Sequence, residues 1–315
     1  MSILLNLSAL SFPSTSSEIF GREGSLVAEI GVGSGGFIEA VAENHPHWNV
    51  LGIERAPQSV ARTYRRLLRR RVSNARLAKA DAWFVVRNVI APGDLSGLFI
   101  NFPDPWPRRK HQHRRLLSVP FLELLASRLM DGGRLALTTD HPEYLEYVKR
   151  NALATGLYEM ESGEPPPEAL ETKYAQKWQS RELDIHHMIF TRTGIPAEFG
   201  VELELIDEMH HAVLEGDLPE PQNFERKTFP FRGGVAVVIE TYRNLDGSGM
   251  AFLVHVEENE LGQDVVIEAR RGRNGTVLAL KRFGETLHTR GVGEAVKALT
   301  GWLEGEGMRV VHRKY

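Results

Sequence analysis

Between about residues 25 and 155, short apolar runs alternate with longer stretches whose apolar positions recur every three or four residues. The runs LVAEI, NVLGIE, ARLAKAD, GLFINFP and GGRLALTTD are too short for helices and are bounded by Gly, Pro or charge, so they predict strands. FIEAVAENHP predicts a helix that stops before Pro46. In APQSVARTYRRLLRRR, Val60, Tyr64, Leu67 and Leu68 fall on one side at helical spacing. AWFVVRNVI, RLLSVPFLELLASRLM and PEYLEYVKRNALATG continue the alternation, GEPPPEAL reads as a stiff surface loop, and LDIHHMIFTRTG adds a late antiparallel strand. Five strand–helix units in sequence predict an α/β fold with a mostly parallel sheet covered on both faces.

The texture changes after Gly194. AEFGVELELIDEMHHAVLEG predicts a helix and DLPEPQ a linker-like turn. The alternating runs GGVAVVIETYRN, GMAFLVHVEE, DVVIEARRGRNG and TVLALKRFG then predict an antiparallel sheet, with a hairpin signal at Asn274-Gly275. VGEAVKALTGWLEGEG closes the chain with a helix. The sequence therefore predicts two domains, residues 1–194 and a C-terminal α+β domain over 195–315.

Composition narrows this picture without redrawing it. The chain has 315 residues, 42% of them hydrophobic and 25% charged, as in an ordinary globular protein. The apolar start Ile3-Leu4-Leu5 is broken at Asn6 and has no cationic lead, so neither a signal peptide nor a membrane span is expected. There is no cysteine, which removes disulfides, thiolate metal sites and thiol nucleophiles and suits a cytoplasmic protein. Net charge is -3, but residues 1–194 carry 24 Lys and Arg against 21 Asp and Glu, and residues 195–315 carry 14 against 20. The positive charge is clustered at Arg62, Arg65, Arg66, Arg69, Arg70 and Arg71, and again at Arg108, Arg109, Lys110, Arg114 and Arg115. Local patches of this kind matter more for phosphate binding than the sum does. The pairs His186-His187 and His210-His211 lack metal-like spacing with carboxylates, and no metal is expected.

Open parallel sheets bind ligands beyond the carboxyl ends of their strands. The acids at those ends are Glu29, Glu54, Asp81, Asp104 and Asp140. One such acid is an ordinary loop or cap residue; five point to a shared site. Gly31, Gly33 and Gly36 have G-x-G-x-x-G spacing between a strand and a helix, which lets a ligand approach the backbone closely. With Glu54 as an acceptor for ribose hydroxyls, that pattern fits both NAD and S-adenosylmethionine. Glu29 favours the second, because a carboxylate there repels a pyrophosphate and suits an ammonium and a sulfonium. A methyltransferase acting on another substrate, an NAD-dependent oxidoreductase and a non-catalytic RNA-binding module remain as alternatives on these features.

AEIGVGSGG, LGIE, NFPDPWPRRKHQHRR, LALTTD and ETKYAQKWQ occur in that order. Together they resemble the bacterial tRNA (guanine-N(7))-methyltransferases over roughly residues 18–193, and FPDPW followed by basic residues is the most specific part. The resemblance implies a Rossmann-like S-adenosylmethionine-dependent methyltransferase fold and methyl transfer to a tRNA guanine in the variable loop. It implies S-adenosyl-L-methionine as co-substrate, held by Glu29, Gly31, Gly33, Glu54, Asp81, Ala82, Asn101 and Asp104, with Asp104 also catalytic. Arg108 (at a family lysine position), Asp140, Thr172, Lys173 and Tyr174 would contact the tRNA. Ala175 stands where the family usually has a carboxylate. Residues 195–315 look like the extension carried by some thermophilic or radiation-resistant members, and a monomer or homodimer is expected. The prolines at 103, 105 and 107 fix φ around Asp104, and Trp106 either stacks on a base or packs under the loop. The cations from Arg108 to Arg115 are expected on RNA phosphates, with the row of arginines at 62–69 extending them.

Overall fold

The computed structural model describes residues 2–170, 184–200, 203, 205–206, 210–220, 225–258, 261–281 and 283–315. The chain forms two compact units, residues 1–202 and 203–315. The expected change of domain lay at 194–195. Residues 195–200 belong with the first unit, where the Phe199 carbonyl accepts a 3.3 Å hydrogen bond from the buried Arg128 and the Phe199 ring lies 5.0 Å from the Arg87 guanidinium.

The first unit is one seven-stranded sheet. Its strands are β1 (Ser25–Ile30), β2 (Trp48–Ile53), β3 (Ala75–Ala78), β4 (Leu95–Asn101), β5 (Leu129–Thr139), β6 (Tyr158–Ser162) and β7 (His186–Arg192), in the order β3-β2-β1-β4-β5-β7-β6. Only β7 runs antiparallel to its neighbours, as its sequence predicted. The inner residues of β1 and β2 are all buried, which explains why these strands read as continuous apolar runs rather than alternating ones. Strand order reverses at β1, which pairs with β2 on one side and β4 on the other. A ligand cleft forms at such a switch point.

The helices are α1 (Ser16–Phe20), α2 (Gly36–Asn44), α3 (Pro57–Arg70), α4 (Ala82–Phe84), α5 (Val119–Arg128), α6 (Pro142–Thr155) and α7 (Pro167–Leu170). Proline in the first turn opens α3, α5 and α6, where its missing N–H costs nothing. Helix α3 buries Ser59, Val60, Thr63 and Leu67, while Leu68 is 55% exposed. The predicted apolar side is thus rotated, because the small Thr63 faces Gly35 of the glycine loop. A π-helical turn, Val85–Val89, follows α4 and is wholly buried. The stiff loop GEPPPEAL contains the turn α7, and β6 was not foreseen because YEMES is polar and exposed beyond its first residues.

The second unit is an antiparallel sheet in the order β14-β8-β13-β12-β11-β10-β9. Its strands are β8 (His211–Glu215), β9 (Lys227–Phe231), β10 (Gly234–Arg243), β11 (Gly249–Glu258), β12 (Leu261–Gly272), β13 (Gly275–Leu280) and β14 (Arg309–Lys314). One face of it packs on α8 (Arg290–Gly305) through Val292, Val296, Leu299 and Leu303, at helical spacing. The hairpin between β12 and β13 lies where Asn274 signalled it. The helix predicted over AEFGVELELIDEMHHAVLEG is corrected: its described C-terminal part, His211–Glu215, is a strand between β13 and β14. There Ala212 and Leu214 are buried and their neighbours are not, a period of two that the preceding acidic residues mask in the sequence.

Candidate active site

Residues at the ends of β1, β2 and β4 and in the turns after β3 and β4 line a cleft of about 800 Å³. Glu29 lies at its floor, 3% exposed. Burial pushes its carboxyl up to about 8; the Asn101 amide and the Ile38 N–H work against that shift and Glu54 adds to it. Although Asn101 stands close enough to influence Glu29, neither Glu29 Oε2 nor Asn101 Nδ2 has a hydrogen-bond partner, and both are buried. Two buried polar atoms that do not pair well with each other are costly unless a ligand completes them.

The glycine loop wraps the next part of the cleft. Gly31 and Gly33 take φ of 80° and 53°, and a Cβ on Gly31 would meet nothing within 4 Å, so its backbone faces open space. Gly35, which the spacing argument passed over, is the residue packing requires: its φ is 76° and a Cβ would lie 2.6 Å from Thr63. Glu54 holds the loop by accepting from Gly33 N–H at 3.3 Å and from Ala56 N–H at 2.9 Å. Asp81 lies beyond the end of β3, where it caps α4 by accepting from Trp83 N–H at 2.9 Å. Ala82 and Trp83 line the same wall, with Trp83 set edge-on to Phe121 at 5.1 Å.

The NFPDPWP loop forms the opposite wall. The Phe102 N–H continues the sheet by donating to Thr138 O at 2.8 Å. With φ fixed at three prolines, the chain turns at two residues that each precede one of them: Phe102 and Trp106 take φ of 51° and 42°, a strained region for residues with a Cβ. Arg115 holds this shape. It is 5% exposed, its Nε donates to Pro105 O at 2.8 Å, and its guanidinium lies 4.8 Å from the Tyr147 ring and 5.7 Å from the Tyr144 ring, both on α6. Arg115 is therefore not available to RNA phosphate, contrary to the expectation for the whole 108–115 run. Asp104, at the centre of the loop, is exposed and lines the cleft. Trp106 carries the Arg114 guanidinium at 5.0 Å over its ring and leans on His111.

A family model described as a putative methyltransferase matches residues 23–188. A tRNA (guanine-N(7)-)-methyltransferase of Thermus thermophilus is 40% identical over 300 residues, covering 95% of this chain and 96% of its own. One of Deinococcus radiodurans is 41% identical over 298 residues, covering 92% of each chain. The chain belongs to the tRNA (guanine-N(7)-)-methyltransferase family. Both relatives are matched well beyond residue 202, so the likeness includes the second unit.

Of the residues the family resemblance singles out, Glu29, Gly31, Gly33, Glu54, Asp81, Ala82, Asn101 and Asp104 all line the one cleft. Arg108 and Asp140 are not among its lining residues; Arg108 is exposed just before the 3-10 turn Arg109–Arg114, and Asp140 is half-buried directly after β5. Thr172, Lys173 and Tyr174, and Ala175 after them, lie outside the described residues. The methyltransferase cleft is also lined by Ser34, Arg55, His113 and Tyr144, which sequence reasoning missed. Arg55 and Ser34 adjoin motif residues and were within reach of it; Tyr144 comes from α6 and carried no signal.

Proposed function

We propose that this chain transfers the methyl group of S-adenosyl-L-methionine to N7 of a guanosine in the variable loop of tRNA, forming 7-methylguanosine. One observation carries the reading: Glu29 Oε2 and Asn101 Nδ2 are a buried acceptor and a buried donor without partners. They complement the ammonium and the carboxylate at the methionine end of the co-substrate. Gly31 leaves its backbone open to the ligand, Glu54 offers carboxylate oxygens to ribose hydroxyls, and Asp81, Ala82 and Trp83 form the wall suited to adenine. The tRNA part of the reading is supported by the relatives, which are named for that reaction and match along nearly the whole chain.

The co-substrate supplies a methyl group on a sulfonium. Guanine N7 has a lone pair and no proton, so its attack forms the C–N bond while the C–S bond breaks and the sulfonium becomes a thioether. No base has to remove a proton, and no step calls for a metal. The positive charge passes to the purine, where a carboxylate stabilises it. Asp104 has that role in this reading, and the proline frame with Arg115 beneath it limits its motion. Arg108 and Asp140 lie outside the cleft and are assigned to the tRNA body. The enzyme acts in the cytoplasm as a monomer or homodimer.

Incubation with methyl-labelled S-adenosylmethionine and an unmodified tRNA transcript tests this. Label is expected in 7-methylguanosine from the variable loop; co-substrate binding without transfer to any tRNA would overturn the reading. Asp104→Ala is expected to abolish transfer while changing stability by no more than about 0.5 kcal/mol, as for an exposed side chain. A large loss in a thermal melt would instead make Asp104 a structural residue.

A further inference from the structure

Helix α3 carries Arg62, Arg65, Arg66 and Arg69 at spacings of three and four, which sets them along one face. With Ser34 they line a second, open groove of about 300 Å³. Ser34 lines the main cleft as well, so groove and cleft meet at the glycine loop. Arginines on a solvated helix commonly find carboxylates. Here Glu39, buried on α2, ion-pairs with Arg66 and with Arg70 at 2.6 Å. That pairing fixes Arg66 in the groove. Arg62 donates to Ser59 Oγ at 3.1 Å and Arg65 to its own helix at Ala61 O, 3.0 Å. Among the described residues no carboxylate lies within ion-pair distance of Arg62, Arg65 or Arg69. Burial lowers the pKa of the Arg66 guanidinium, and the neighbouring charges of Arg69 and Arg70 add to that, so like charge is crowded along this face.

Such crowding is relieved by an anion. A row of arginines in an open groove, their Cβ atoms about 5–6 Å apart along the helix, suits a chain of phosphates better than a single one. We propose that this groove is a track for the phosphate backbone of the RNA substrate, running up to the methyl-transfer cleft. The inference rests on the tRNA reading above for the class of substrate.

The full-length chain is tested as the triple variant Arg62→Gln, Arg65→Gln, Arg69→Gln and as the matching triple Lys variant. Arg66 is kept because it joins α3 to Glu39. Affinity for unmodified tRNA transcript is measured across a salt series. The Gln variant is expected to flatten the plot of log affinity against log salt by roughly 2 to 3, about 0.7–0.9 for each phosphate no longer neutralised. It is also expected to raise the KM for tRNA. The Lys variant is expected to keep the slope, since a point charge suffices at a phosphate. If the Gln triple melts early, Arg69→Gln alone is expected to lower the slope by about 1. An unchanged slope in a folded Gln variant overturns the track, as does a Lys variant that loses as much slope as the Gln one. Pyrophosphate binding lost in the Gln variant with an unchanged tRNA slope would mark a small-anion site and also overturn it. The wild-type methylation assay keeps the two readings apart. A reduced slope without any 7-methylguanosine sinks the reaction and leaves the track; 7-methylguanosine with an unchanged slope does the reverse.

Discussion

Glu29 shows how one residue couples the cleft to its ligand. Burial, the main cause, pushes its carboxyl up to about 8, so in the unliganded protein it is largely protonated at neutral pH. A bound ammonium favours the ionised form, and binding must then release a proton below pH 8. Affinity for S-adenosylmethionine is therefore expected to rise with pH, by at most about tenfold per unit, and to level off above 8. Calorimetry in buffers of different ionisation enthalpy would detect the released proton. Glu29→Gln is expected to bind weakly and without this pH dependence; a wild-type affinity that ignores pH would sink the assignment. Stability of the unliganded protein carries the opposite sign. Between the ordinary glutamate value of 4.5 and about 8 the folded state holds a proton that the unfolded state has lost. Stability from this group falls as pH rises through that window, and thermal melts of Glu29→Gln should lack the decline.

At the scale of elements, the loop from Phe102 to Pro107 owes its shape to a residue outside it. Two strained φ values persist only if the surroundings hold them, and Arg115 is the hold, hydrogen-bonded to Pro105 O and set over the rings of two tyrosines of α6. Arg115→Ala is expected to lower stability by about 1–3 kcal/mol, since it removes a buried side chain and leaves the part-buried Pro105 carbonyl without its donor, and to reduce the turnover number. Arg115→Lys is expected to restore little of either, because an ammonium has neither the fork nor the plane. Full recovery in the Lys variant, measured by melting and single-turnover rates, would count against this role. Five cations in a run look alike in the sequence, and only the fold separates them. Arg115 follows the 3-10 turn and points inward next to the buried Leu117, while Arg108 to Lys110 stay exposed. Four of the five acids at the strand ends, Glu29, Glu54, Asp81 and Asp104, were legible because a parallel sheet fixes which edge holds the site; Asp140 follows β5 without lining the cleft. Tyr144 was not, since its part in the cleft depends on how α6 packs; Ser34, inside the glycine motif, was within reach. Strand β8 was misread because its two buried positions follow a stretch of helix-favouring acidic residues.

For the whole molecule, the change of texture after Gly194 is visible because strand–helix alternation gives way to runs of period two. The first unit nevertheless continues past that point, through packing invisible in sequence. Its core, built on residues such as Val27, Ile38 and Leu77, is separate from the second unit's core of Phe252, Val296 and Leu303. Among the described residues, those lining the cleft all fall between Glu29 and Tyr144. A chain ending at residue 202 is therefore expected to fold and to bind S-adenosylmethionine as the full chain does. A chain ending at 194 keeps the same cleft but loses Phe199, whose carbonyl serves Arg128 and whose ring covers Arg87. Arg128 is fully buried and retains its bonds to Val86 O and Arg87 O, so one acceptor is removed rather than all. That change is expected to cost about 1–2 kcal/mol. In a unit of this size it would lower the Tm of the shorter fragment by roughly 3–6 °C relative to the longer one. Equal melting temperatures for the two fragments would show that residues 195–200 add nothing to the first unit. A 1–202 fragment that fails to fold would show that its core depends on the second unit.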